Sequence, residues 1–116
     1  MGRFHKEVIL KGPKGEKKVN LLIDTGAVIS TINQKIAEEL GLPKFAKTKL
    51  YGLDKKPVEG YASMVNIIID GCSSHITIAT GDYDNILGAD AMQQLDAVIE
   101  PKNKKIIVRK CEPYQI

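Results

Sequence analysis

Short runs of apolar and β-branched residues, separated by turn signals, recur along the whole chain. The runs FHKEVIL (4–10), KKVNLLI (17–23) and SSHITIAT (73–80) have the composition and alternation of β-strands. Turns rich in Gly, Pro and charged residues, such as GPKGEK (12–17), separate them. This spacing predicts a mostly β barrel or sandwich. We expect a single domain over 1–116, because that length suits one compact core.

Two hairpins are predicted in the second half of the chain. The segments KTKLYGL (47–53) and VEGYASMVNIIID (58–70) flank a polar Asp-Lys-Lys-Pro connection, which is typical of an exposed hairpin. The segments DAVIE (96–100) and KIIVRK (105–110) predict a closing hairpin at about 96–110.

Short helices interrupt the strands at two places. Asn33 is a suitable N-cap for QKIAEEL, and Gly41 supplies the stop signal. A second helix is expected after Gly88. The β-branched run from Ala27 to Ile32 predicts one more strand before the first helix.

Composition restricts the class of protein. Hydrophobic residues make up 43%, and the net charge of +3 comes from scattered lysines without a focused basic patch. The chain has no run of 18 apolar residues and no signal-peptide pattern, so we expect a cytoplasmic protein without membrane contact. Cys72 and Cys111 are too few and too far apart for a zinc site, and we expect reduced thiols, with a disulfide as the alternative.

One carboxylate stands between two apolar runs. In NLLIDTGAVIS (20–30), Asp24 follows Leu-Leu-Ile and precedes Thr25, Gly26 and a second apolar run. A buried carboxylate is costly unless it is neutralised, paired or heavily hydrogen-bonded. Asp24 therefore either caps a strand-ending turn, with Gly26 at positive φ, or has a chemical role.

A second motif, NILGADAM (85–92), lies about sixty residues later. LLIDTGAVIST followed by NILGADAM resembles the retropepsin-like (retroviral-type) aspartic proteases, and LDAVIEPKNKKIIV resembles the final hairpin of their cellular and prokaryotic branch. The resemblance covers about residues 4–110. It implies a small, closed, antiparallel β-barrel with one or two short helices.

The resemblance implies peptide hydrolysis by two carboxylates that share a proton and activate a water molecule. The chain contains one Asp-Thr-Gly and no internal repeat, so the second carboxylate should be Asp24 of another copy. The expected protein is a homodimeric aspartic endopeptidase that acts on extended peptides or unfolded proteins. This chemistry needs no metal and no organic cofactor.

The resemblance also implies roles for the neighbours of Asp24. Thr25 would reach across the dimer axis, although a turn hydroxyl bonded to its own backbone is an alternative. Gly26 and Ala27 would complete the active-site loop and leave room for substrate backbone. Gly88 would pack against this loop, because a glycine permits close approach of another backbone.

Two further sets of residues are substrate-binding candidates. Val28 and Ile29 stand where many retroviral members carry an acidic residue, and with Ile86 they would form an apolar wall that favours hydrophobic substrate side chains. The hairpin at about 50–62 would be a flap over the substrate, or else an ordinary exposed hairpin. Its candidate contact residues are Tyr51, Gly52, Leu53 and Tyr61.

Other interpretations remain open at this point. Asp90 is the other carboxylate to consider for the dyad, but an acid at a helix start bonds backbone N–H groups, so we expect a structural role. The fold could also serve as a catalytically inert dimerisation or peptide-binding module. A nucleic-acid-binding barrel fits the net charge of +3 but lacks an aromatic and basic strand face, so we expect no nucleic-acid partner.

Overall fold

The computed structural model describes residues 3–51 and 56–113, and this part of the chain is mostly β, as predicted. Its helices are α1 (Gln34–Leu40) and α2 (Ala89–Leu95), with a 3-10 turn at Pro101–Asn103. The strands are β1 (Phe4–Gly12), β2 (Gly15–Ile23), β3 (Thr31–Asn33), β4 (Ala46–Tyr51), β5 (Pro57–Ile69), β6 (Cys72–Gly81), β7 (Ile86–Leu87), β8 (Ala97–Glu100), β9 (Lys105–Val108) and β10 (Glu112–Pro113).

Six strands pair in a closed ring. The order is β6-β3-β7-β2-β1-β5, and the ring closes because β5 also pairs with β6, from Gly60 to Ile69. Strands β4 and β10 extend the sheet outside the ring, while β8 and β9 form a separate hairpin. The β2–β7 and β3–β6 pairs are parallel, so the predicted antiparallel barrel is confirmed as a mostly antiparallel one. Both parallel pairs border the segment that follows β2.

The hydrophobic core lies inside this ring. Alternate side chains of β1, β2, β5 and β6 point inward, as the period of two along a strand requires. Each such aliphatic side chain contributes about 1.5–3 kcal/mol when it is fully buried. The largest fully buried residues include Leu10, Leu21, Ile23, Ile67, Ile69, Ile76, Leu87 and Leu95. The buried side chains of β2 and α2 therefore hold both of these elements, which flank the loop that joins β2 to β3, in the core.

Both short helices form where the sequence predicts them. The Asn33 side chain accepts the N–H of Lys35 at the start of α1, and Gly41 ends it in the left-handed conformation, φ 67°. Helix α2 begins directly after Gly88. In the described part of the chain, neither these helices nor the 3-10 turn has the length and apolar character that a membrane span needs.

The predicted strand from Ala27 to Ile32 is wrong over most of its length. Only Thr31 and Ile32 belong to β3, and the preceding residues form a loop. The carbonyls of Ala27 and Val28 accept N–H groups from the start of α2 instead of pairing with a strand. The backbone polar groups are thus satisfied without a sheet ladder.

The expectation of reduced cysteines is also wrong. Cys72 and Cys111 form a disulfide, with their Cα atoms 5.1 Å apart. Strand β10 pairs with the start of β6, with Glu112 opposite Ser73, and this brings together two cysteines that are 39 residues apart in sequence. The bond ties the C-terminal segment to the barrel.

Candidate active site

Asp24 lies at the end of β2, where the parallel partner β7 holds its backbone. Ile23 pairs with Leu87, and the N–H of Asp24 donates to the Leu87 carbonyl at 3.0 Å. The Asp24 side chain is 18% exposed. The carboxylate is therefore fixed at a strand end and remains open to solvent on one side.

The turn after Asp24 has the capping bond of the structural interpretation, but not the positive φ that this interpretation expected at Gly26. The N–H of Gly26 donates to Asp24 Oδ1 at 3.0 Å, and the N–H of Ala27 donates to the Asp24 carbonyl at 3.1 Å. The left-handed glycines of the described chain do not include Gly26. Instead, a Cβ at Gly26 would lie 3.2 Å from Asp24 Oδ1, so a side chain would crowd the carboxylate. The capping bond from the Gly26 N–H thus uses Oδ1 of Asp24. Thr25, which lies between these two residues, is exposed.

Arg3 is a neighbour of Asp24 that the sequence analysis missed. Phe4 pairs with Ile23 in the β1–β2 hairpin, so Arg3 lies beside Asp24 just beyond the last pair. Its Nη1 atom is 3.9 Å from Asp24 Oδ2, and its side chain is 68% exposed. The turn predicted at 12–17 would have placed His5 opposite position 24, and only the tighter turn, with Gly12 paired to Gly15, brings Arg3 there.

Gly88 packs against the loop that carries Asp24. A Cβ at this position would lie 2.6 Å from the carbonyl oxygen of Ala27, a distance that real side chains do not tolerate. The next two residues donate to the same loop, with Ala89 N to Ala27 O at 2.7 Å and Asp90 N to Val28 O at 3.1 Å. Loop and helix start thus form one hydrogen-bonded unit.

A side-chain network secures the far end of the loop. Ser30 is completely buried, and its Oγ donates to Asp90 Oδ1 at 2.6 Å while accepting the N–H of Gly88 at 2.8 Å. Asp90 Oδ1 also accepts the N–H groups of Ser30 and Ala91, at 2.9 and 2.7 Å. The Asp90 carboxylate is engaged in holding the loop to α2. Sequence analysis missed Ser30, because nothing local distinguishes it from other serines.

The wall candidates lie in the loop that follows Asp24 and in the neighbouring strand β7. Val28 and Ile29 lie next to each other on this loop and are 73% and 40% exposed. Ile86 lies in β7, where it pairs with Leu22 and Thr31 and is partly buried.

Of the four flap candidates, Tyr51 and Tyr61 lie within the described residues. Tyr51 ends β4 and is 69% exposed, while Gly52 and Leu53 lie outside the described residues. Tyr61 lines a different cavity of about 440 Å³, between α1 and the β4–β5 hairpin, with Ala37 and Lys47 among its other walls. The ring of Tyr61 also lies beneath the ammonium group of Lys44, 4.8 Å from the ring centre.

The chemistry available at this loop is that of a carboxylate. Within residues 3–51 and 56–113, no group of three or more His, Cys, Asp or Glu side chains is placed to hold a metal ion. A fixed, partly exposed carboxylate can accept a proton from a bound water. To polarise a substrate carbonyl at the same time, the site needs a second, protonated acid.

Comparisons with known proteins agree with this geometry. A protein-family model described as aspartyl protease matches residues 8–91. EIAV protease, solved in complex with the inhibitor HBY-793, superposes with a TM-score of 0.69 at 25% sequence identity, covering 85% of this chain and 93% of that one. The retroviral protease-like domain of Ddi1 from Leishmania major has a TM-score of 0.67 at 17% identity, covering 90% and 88%. A search of curated protein sequences gave no match.

Proposed function

We propose that this chain, which belongs to the aspartyl protease family, is an endopeptidase that cleaves extended polypeptides as a homodimer. The observation that carries the proposal is the state of Asp24. Its carboxylate is fixed through Oδ1 by the Gly26 N–H, is partly exposed, and stands on a loop clamped to α2. Partial exposure is what a carboxylate needs to reach a water molecule and a substrate.

The reaction requires two copies of this loop. One Asp24 would be ionised and take a proton from water, whose oxygen attacks the scissile carbonyl carbon. The protonated Asp24 of the second copy would donate a hydrogen bond to the carbonyl oxygen. Collapse of the tetrahedral intermediate then breaks the C–N bond, and a proton passes to the leaving amine. Asp90 is a poor substitute for the second acid, because Ser30 and Ala91 occupy its Oδ1.

Exposed apolar side chains support a dimer. Val28 and Ile29 lie exposed on the loop that carries Asp24, and covering them by a second copy would remove large aliphatic surface from water. Val98 and Ile107 form a second exposed pair, directly opposite each other in the β8–β9 hairpin. A two-fold axis beside Asp24 would place the same residues of both chains next to each other. This position of the two-fold axis is part of the proposed dimer.

The substrate site follows from the same surroundings. Val28, Ile29 and Ile86 would contact side chains on either side of the cleaved bond, and their apolar character favours hydrophobic residues there. The β4–β5 hairpin, with Tyr51 at its described end, would close over an extended peptide as a flap. A cytoplasmic location stays a prediction.

Cleavage of a peptide library by the purified chain tests the proposal. Wild type should release fragments, and Asp24→Asn should release none, because the amide cannot accept the proton from water. Asp84→Asn is a matched control in an exposed loop and should cleave like wild type. Equal cleavage by wild type and Asp24→Asn would contradict the proposal. A chain that binds peptides, yet neither cleaves them nor holds a statine-type inhibitor, would be an inert binding module.

A further inference from the structure

The guanidinium of Arg3 stands next to the proposed reaction centre. Its Nη1 lies 3.9 Å from Asp24 Oδ2, the carboxylate oxygen that does not cap Gly26. The β1–β2 pairing fixes the Arg3 backbone there, since Phe4 is hydrogen-bonded opposite Ile23. At 68% exposure, the side chain is accessible to any molecule that reaches the carboxylate. A peptide bound at Asp24 would therefore lie close to this cation.

In the proposed dimer, the positive charge of the two Arg3 side chains would exceed the negative charge of the two Asp24 carboxyl groups. Two Arg3 side chains bring two positive charges, whereas two Asp24 carboxylates that share one proton carry a single negative charge. The neighbouring loop positions, Val28 and Ile29, add no carboxylate. One guanidinium charge beside the dyad is therefore without a compensating partner from these loops.

We propose that Arg3 is a substrate-recognition residue that binds a carboxylate of the peptide close to the cleaved bond. A guanidinium suits this role, because its planar fork donates two parallel hydrogen bonds to a carboxylate. The carboxylate could belong to an Asp or Glu side chain or to the end of the peptide. The enzyme would then select peptides that combine hydrophobic residues at the cleaved bond with an acidic group a few residues away. This inference rests on the proposed function.

Peptides that differ at a single position test the role of Arg3. In a cleavable peptide, each of three positions on either side of the bond is set to Glu, Gln or Lys, and one further pair ends in a carboxylate or an amide close to the bond. The ratio of kcat/KM for Glu over Lys is measured in wild type, Arg3→Gln and Arg3→Glu. Because each ratio is taken within one variant, effects of the substitution on Asp24 itself cancel. Lys18→Gln, which removes an exposed lysine of β2, is the control.

Wild type and the Lys18→Gln control should prefer Glu over Lys about tenfold at one or more positions, or prefer the free carboxylate to the amide, mainly through KM. The ratio of kcat/KM for Glu over Lys should fall to about one in Arg3→Gln. In Arg3→Glu it should fall below one, so that the Lys peptide is preferred. A ratio that is the same in all four proteins would overturn the inference while leaving the proposed function intact. If wild type cleaves nothing, the proposed function fails. The role of Arg3 is then decided by calorimetry, from the ratio of Kd for the Lys peptide to Kd for the Glu peptide in the same four proteins.

Discussion

The Oγ atom of Ser30 donates a 2.6 Å hydrogen bond to Oδ1 of Asp90, joining two residues that are 60 positions apart. The same hydroxyl accepts the N–H of Gly88, so one buried serine connects the loop, the glycine and helix α2. At the other end of the loop, Asp24 N–H is held by Leu87. The carboxylate of Asp24 is thus carried by a loop fixed at both ends.

Replacing Ser30 by alanine should destabilise the protein by about 1–3 kcal/mol, because the buried N–H of Gly88 and the Asp90 carboxylate lose a partner. Urea unfolding measures this as a lower midpoint with an unchanged slope. Ser74→Ala is the matched control: it also removes one hydroxyl, but its bond to the Lys110 carbonyl is exposed, so the loss should be smaller. Equal losses in both variants would contradict a special role of Ser30.

Gly88→Ala should cost about 1–3 kcal/mol and displace the loop, because the new methyl group would lie 2.6 Å from the Ala27 carbonyl oxygen. Thermal unfolding measures the stability, and amide exchange at Ala89 and Asp90 reports whether their bonds to the loop weaken. The control is Ala89→Gly, a substitution at the next residue that removes a methyl group and so introduces no clash. It should leave the amide exchange of Asp90 nearly unchanged. A Gly88→Ala protein with wild-type stability and exchange would contradict this packing.

Reduction of the Cys72–Cys111 bond should lower the free energy of unfolding by about 2–4 kcal/mol, since the bond closes a long loop in the unfolded chain. Urea titrations with and without dithiothreitol give the difference. The double variant Cys72→Ser/Cys111→Ser should match reduced wild type and be insensitive to the reductant. Identical curves for oxidised and reduced wild type would exclude a stabilising bond. Because such bonds are rare in reducing compartments, the result also bears on the predicted cytoplasmic location.

Local signals in the sequence predict much of this fold. Asn33 and Gly41 bound α1 as expected, since capping depends on neighbouring residues alone. The β1–β2 and β5–β6 hairpins follow from adjacent apolar runs joined by tight turns. The family resemblance then adds the closed barrel, which alternation alone could not separate from a sandwich.

Contacts between distant segments explain what the sequence could not show. The loop over Ala27 to Ser30 looks like a strand by composition, but the start of α2 takes its hydrogen bonds. Ser30 and Arg3 acquire their positions only when β7 and β1 flank β2. Cys111 meets Cys72 because β10 joins the edge of β6. Tyr61 lines a cavity beside α1 because β4 and β5 pack next to that helix, and its role in a flap stays a prediction.

A mixing experiment tests most directly whether each active site takes one Asp24 from each of two chains. Wild type and Asp24→Asn are mixed in equal amounts at constant total concentration and left until subunits have exchanged. Random pairing leaves about one quarter of the dimers with two Asp24 residues, so the cleavage rate should fall to about a quarter of that of wild type alone. A rate of about one half would mean that each chain acts by itself, and would contradict the shared site.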